Sequence, residues 1–153
     1  MIALDTSACI YYLGREEPWF SLLAPVLGRV ARGAPRIVLS AMVQLELLVK
    51  PYRLRNQRLV RQVLEFTEEH KGIVTMPISP DVVAAAAQVR ADLRLKTPDA
   101  IVVGSAALSG APIVVGNDAT FARLNEGEPI ELAVASRRYR APRFVSLDDY
   151  AEG

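Results

Sequence analysis

The chain has 153 residues, 51% of them hydrophobic and 23% charged, and its 18 basic and 17 acidic side chains leave a formal net charge of +1. That is material for one sizeable core and too little for two ordinary domains, and it argues against global disorder and against a histone-like nucleic-acid coat. One cysteine, Cys9, and one histidine, His70, exclude an intramolecular disulfide, a cysteine-only metal site and multi-histidine zinc chemistry, so any metal must be held mostly by oxygen.

Ile2-Ala3-Leu4 reads as a brief strand running into Asp5-Thr6-Ser7, a helix start, with a short helix over Ala8–Leu13 stopped by Gly14. Pro18–Val30 supports a second helix, interrupted or kinked near Pro25. Pro35–Leu39 is β-branched enough for a strand, and Ser40 caps a helix over Ala41–Val49 that Pro51 ends. Leu54–His70 repeats apolar residues at Leu59, Val63 and Phe66 against a polar row, which predicts one helix closed by Gly72.

Ile73–Ile78 is a third strand, and Ser79-Pro80-Asp81 opens a helix running to about Leu93. Its Ala84–Ala87 face can pack closely against a neighbouring element or a second subunit. Thr97-Pro98-Asp99 starts another helix, over Ala100–Leu108, ended by Gly110. Pro112–Val115 is a fourth strand, and Asn117-Asp118 begins a helical turn to Leu124. Pro129–Val134 is a possible fifth strand, and Phe144–Leu147 a last extended piece. Strands alternating with helices predict an α/β fold around a mostly parallel sheet. We read residues 1–147 as one domain and 148–153 as a short acidic tail. With no signal-peptide pattern and no apolar run near the roughly 18 residues of a span, the expectation is a cytoplasmic protein without a membrane partner.

Four acids sit awkwardly in a plain core-and-surface account. Asp5 and Asp118 each lie just past a predicted strand, where each also reads as a helix cap. Glu46 has Met42, Val43 and Val49 as helical neighbours, so it points from a mainly buried face unless it pairs with Lys50. Asp99 lies in the first turn of its helix, favoured there by the helix dipole, with Val102, Val103 and Ala106 following on its face. Ligands in open α/β sheets collect outside the carboxyl ends of the strands. Four carboxylates converging there would repel one another unless a divalent cation neutralised them, and oxygen-only ligation suits Mg²⁺ or Mn²⁺. The chemistry that follows is metal-dependent phosphodiester or phosphate-ester hydrolysis.

These motifs carry a resemblance. Leu4-Asp5-Thr6-Ser7-Ala8-Cys9-Ile10, Ser40-Ala41-Met42-Val43-Gln44-Leu45-Glu46-Leu47, Thr97-Pro98-Asp99-Ala100 and Gly116-Asn117-Asp118-Ala119-Thr120-Phe121 resemble, in order, the motifs of the PIN-domain family, specifically its VapC-like toxin endoribonucleases. The resemblance implies a three-layer α/β/α sandwich, Mg²⁺ or Mn²⁺ at Asp5, Glu46, Asp99 and Asp118, and cleavage of single-stranded RNA. It also implies a homodimer and a cognate antitoxin that blocks the acidic groove. Two positions depart from the pattern. Gly116 stands where members often carry Thr or Ser, which removes a hydroxyl, and Ser7 replaces a frequent asparagine. Ser7 and Asn117 are supporting candidates that could bond a phosphate oxygen or a water.

Residues 50–61 hold five basic side chains, Lys50, Arg53, Arg55, Arg58 and Arg61, and no acid. They are the candidate RNA-facing strip, with Arg61 also placed to pair with Glu65. Arg137, Arg138, Arg140 and Arg143 form a second cluster, in which Tyr139 could stack on a base or simply pack. Cys9 reads as a core residue, His70 as a helix end and Trp19-Phe20 as a packing edge or an exposed antitoxin or dimer contact. Two alternatives remain at this level: a catalytically weak PIN-like binding module, which Gly116 favours, and a small metal-dependent phosphatase of different topology attacked at Asp5.

Overall fold

The computed structural model describes residues 1–33 and 36–152; Pro35, where the second strand was expected to begin, lies outside them. Among the described residues seven strands run in chain order as β1 (Ile2–Leu4), β2 (Ile37–Ser40), β3 (Ile73–Met76), β4 (Ile113–Gly116), β5 (Glu131–Val134), β6 (Arg137–Arg140) and β7 (Arg143–Ser146). The helices are α1 (Thr6–Leu13), α2 (Trp19–Ala31), α3 (Ala41–Arg53), α4 (Gln57–Leu64), α5 (Pro80–Leu93), α6 (Thr97–Ser109) and α7 (Leu147–Glu152). A π-helical turn, Glu65–Glu69, extends α4, and a 3-10 segment spans Ala119–Asn125.

Five strands form one sheet in the order β3-β2-β1-β4-β7, and each adjacent pair is parallel. A parallel sheet must be covered on both faces, which is why its central strands read as unbroken apolar runs. Leu4, Ile37, Leu39, Val114 and Val115 are fully buried in it. With helices flanking the sheet the architecture is the expected three-layer α/β/α sandwich. Side-chain caps at Asp5, Ser40, Asn56 and Ser79 fix the starts of α1, α3, α4 and α5, each worth about 1 kcal/mol.

The fold corrects several local expectations. Pro51 does not end α3, which runs on to Arg53 with Pro51 buried inside it. A proline in the last turn sacrifices a single backbone bond, and its buried ring packs in return. The segment expected as one helix over Leu54–His70 is broken at its start by Arg55, at φ +50°, before Asn56 caps α4. The fifth strand does not join the sheet; β5 pairs antiparallel with β6 in a separate hairpin. The acidic tail is helical as far as Glu152, and Leu147 at the start of α7 is fully buried. Tyr139, half-buried on β6, packs against the core, the plainer of its two readings. Ala85 and Ala86 are buried in α5, where a side chain on Gly104 of α6 would come within 3.0 Å of the Ala86 amide, so this small-residue face serves a close helix–helix contact.

Strand order locates the site. From β1 the chain builds outward through β2 and β3 on one side, then returns to place β4 on the other. The crevice between β1 and β4 is therefore the point where the topology reverses, the preferred ligand position in open α/β sheets.

Candidate functional site

Asp5 and Asp118 stand beyond the carboxyl ends of those two strands. Leu4 is in register with Val115, and the Asp5 amide donates to the Val115 carbonyl at 3.0 Å, so β4 sets where Asp5 sits. Only 3% exposed, the Asp5 carboxylate accepts from the Ala8 amide at 2.9 Å and from the Ser7 hydroxyl at 2.7 and 2.9 Å. Ser7 Oγ in turn accepts from the Asn117 amide at 2.9 Å. Its hydroxyl is thus committed to holding Asp5 against the β4 loop, and the Asn117 side-chain amide points to the Tyr11 hydroxyl at 3.5 Å.

Glu46 projects half-buried from α3 and accepts a hydrogen bond from the Thr6 hydroxyl. The alternative pairing with Lys50 does not form: among the described residues Glu46 makes no ion pair. Asp99 lies half-buried in the first turn of α6. Asp118 is exposed and caps the 3-10 segment. Thr120 links the last two, donating through its hydroxyl to Asp118 at 2.8 Å and lying 3.4 Å from Asp99, while its amide donates to Asp118 at 2.9 Å. All four predicted acids line one cavity of about 360 Å³, together with Thr6, Ser7 and Lys96. The basic candidates stand apart. Lys50 lines a neighbouring, more apolar groove of about 320 Å³ that shares Ile10 and Glu46 with the acid cavity. Arg53, Arg55 and Arg58 are exposed, and Arg61 is engaged by Glu65 at 3.0 Å and Glu69 at 2.9 Å.

Sequence reasoning missed Thr6, Thr120, Lys96 and the role of Gly116. A Cβ placed on Gly116 would overlap the Asp5 carboxylate, so the missing side chain is the space Asp5 occupies. Gly116 therefore no longer argues for a weakened site. Thr6 was visible within the first motif, but its reach to Glu46 is a tertiary fact.

Burial raises the Asp5 carboxyl above the ordinary carboxylate range, against the Ala8, Ser7 and Asn117 hydrogen bonds, and the Asp118 charge adds to the rise. Asp99 is raised by burial first and then by Asp118 and Glu46, with Thr120 and Lys96 opposing. A folded state that holds protons more tightly than the unfolded chain is stabilised on acidification and loses that stability as pH rises through the raised values. In chelator, Asp118→Asn is therefore expected to raise the melting temperature at neutral pH by a few degrees and to flatten its decline with pH. A melting temperature no higher than the wild type's would show that Asp118 does not repel its neighbours.

The donor set fits a hard divalent cation: the lining supplies carboxylates and hydroxyls, without histidine or cysteine. Among the described residues no three acids stand close enough to enclose an ion unaided. A divalent cation bound there would need water to complete its coordination.

The PIN domain family model matches residues 2–127. Among solved structures, VapBC-1 from nontypeable Haemophilus influenzae is similar at 17% identity and a TM-score of 0.66, over 97% of this chain and 99% of that one. VapBC2 from Rickettsia felis, bound to a promoter DNA fragment, is similar at 16% identity and 0.65, over 95% and 98%. DNA-bound VapBC from Salmonella typhimurium gives 17% and 0.61, over 96% and 99%. No curated protein matches in sequence. Likenesses at such identities speak to the fold, which excludes the phosphatase of different topology. Matched by the family model over most of its length, and with four acids lining one cavity beyond the strand ends, the chain belongs to the PIN-domain family.

Proposed function

We propose that this protein is a metal-dependent endoribonuclease cleaving single-stranded RNA, the toxin of a toxin–antitoxin pair. The observation that carries this reading is the convergence of Asp5, Glu46, Asp99 and Asp118, from four separate elements, on one cavity at the switch point of a PIN-family sheet. Asp5, Asp99 and Asp118 would hold Mg²⁺ or Mn²⁺, directly or through water. The bound cation would supply an activated water and neutralise charge developing on the phosphate. Glu46, oriented by Thr6, would direct the attacking water. Ser7 keeps Asp5 aimed into the cavity.

The antitoxin partner is supported by the similar solved structures, which are toxin–antitoxin assemblies. Lys50, Arg53, Arg55 and Arg58 would follow the RNA backbone away from the cavity, with Arg61 the weakest member because Glu65 and Glu69 hold it. A homodimer is supported by Leu45, Val49 and Tyr52, 53%, 44% and 56% exposed at helical spacing on one face of α3. Among the described residues no helix is long and apolar enough to cross a membrane, and a cytoplasmic site of action suits the reading.

The test is cleavage of single-stranded RNA before and after chelation. Cleavage should vanish in excess EDTA and return with Mg²⁺ or Mn²⁺; cleavage at full rate after thorough chelation would overturn the proposal.

A further inference from the structure

Among the described residues, Lys96 is the one basic side chain lining the acid cavity. Its position has no local rationale. It precedes the first turn of α6, where the helix field disfavours a cation, and it supplies no side-chain cap. Among the described residues it makes no ion pair, although four carboxylates share its cavity. A residue that breaks a local rule without compensation is a candidate for function.

The backbone that carries it is also held in place. Arg94 takes a left-handed conformation, φ +55°, to turn the chain between α5 and α6. Arg90 Nε donates to the Leu95 carbonyl at 3.2 Å. Arg123 donates from one nitrogen to the Leu93 and Arg94 carbonyls, both at 3.1 Å. Leu95 is 2% exposed, and the Lys96 carbonyl accepts from the Ala100 amide at 2.9 Å. Two arginines, a buried leucine and a helix start thus fix the base of a lysine whose own side chain is exposed at the cavity. Its charge is felt there, since it offsets part of the rise at Asp99.

A phosphodiester is itself an anion, and a rim of carboxylates repels it. We infer that Lys96 contacts a phosphate oxygen of the RNA strand lying across the acid cavity, and so positions the substrate beside the cation site. This rests on the endoribonuclease reading above. Lysine binds phosphate as a point charge, so arginine should replace it in part and an uncharged side chain should not.

The experiment compares the wild type with Lys96→Met and Lys96→Arg on a mixed-sequence single-stranded RNA pool in Mn²⁺. Loss of one charge-assisted hydrogen bond should lower kcat/KM of Lys96→Met by about 10- to 100-fold, with Lys96→Arg recovering most of it. RNA binding, read in an Asp5→Asn background to leave the strand uncut, should lose about 0.7 from its salt slope on adding Lys96→Met. Binding of Mn²⁺ alone should persist or tighten, because a neighbouring positive charge has been removed. Wild-type slope and turnover in Lys96→Met would overturn the inference and leave the nuclease reading standing. So would Mn²⁺ affinity falling in step with cleavage, since Lys96 would then be a prop of the acid cluster. A wild-type protein that neither binds nor cuts RNA would remove the nuclease reading, and the inference with it.

Discussion

Asp5→Asn is expected to lower cation-stimulated RNA cleavage by at least about 10²–10³-fold, the scale of losing one preorganised electrostatic group, while leaving the fold intact. The substitution changes charge and little else. Asparagine caps helices as well as aspartate does, and its carbonyl oxygen can still accept from the Ala8 amide and the Ser7 hydroxyl. Because burial already works against the ionised form of Asp5, the neutral side chain should hold or raise the melting temperature in chelator. The prediction therefore has two parts with opposite signs: catalysis collapses while stability does not. Circular dichroism and a melting curve check the second part, and Mn²⁺ affinity, expected to weaken, ties the loss to the cation. Unchanged turnover in a folded, Mn²⁺-competent variant would remove Asp5 from the site.

The four acids were legible because each stands where local rules place a chemical group. Asp5 and Asp118 end strands, Asp99 opens a helix behind a proline, and Glu46 interrupts an apolar helix face. What holds them was not legible, because it is tertiary. Thr6 meets Glu46, and Thr120 meets Asp99, across elements far apart in sequence. Lys96 reads as an ordinary surface cation until the α5–α6 turn brings it to the same cavity.

The missed hairpin has a local explanation. Its turn residues, Ala135 and Ser136, take positive φ of 49° and 62°, where a two-residue turn would normally advertise itself with Asn or Gly. For α7 the signal was present and overlooked: Ser146 Oγ accepts from the Asp149 amide at 3.1 Å, an N-terminal cap written as serine followed three residues later by an acid. The error at Pro51 has a different origin, since a rule written for helix interiors loses force in a last turn whose proline ring is buried.

Gly116→Ala should disable the site nearly as severely as Asp5→Asn, although glycine carries no chemistry of its own. The added methyl would occupy the Asp5 carboxylate's position. Neither side can yield cheaply. Asp5 is pinned by Ser7 and the Ala8 amide, and Gly116 sits in register with Ser146 at the end of a strand paired on both edges. Either Asp5 leaves its cap or the end of β4 moves, at the roughly 1–3 kcal/mol typical of overpacking. Stability should therefore fall here, where in Asp5→Asn it does not, and the two losses of activity can be traced to one carboxylate by combining them. If Gly116 acts only by making room for Asp5, the double variant should cut RNA no more slowly than Asp5→Asn alone, the non-additivity expected of residues in contact. Full additivity of the activity losses would mean that Gly116 serves the reaction by another route, and wild-type cleavage by Gly116→Ala would show that Asp5 does not need the space.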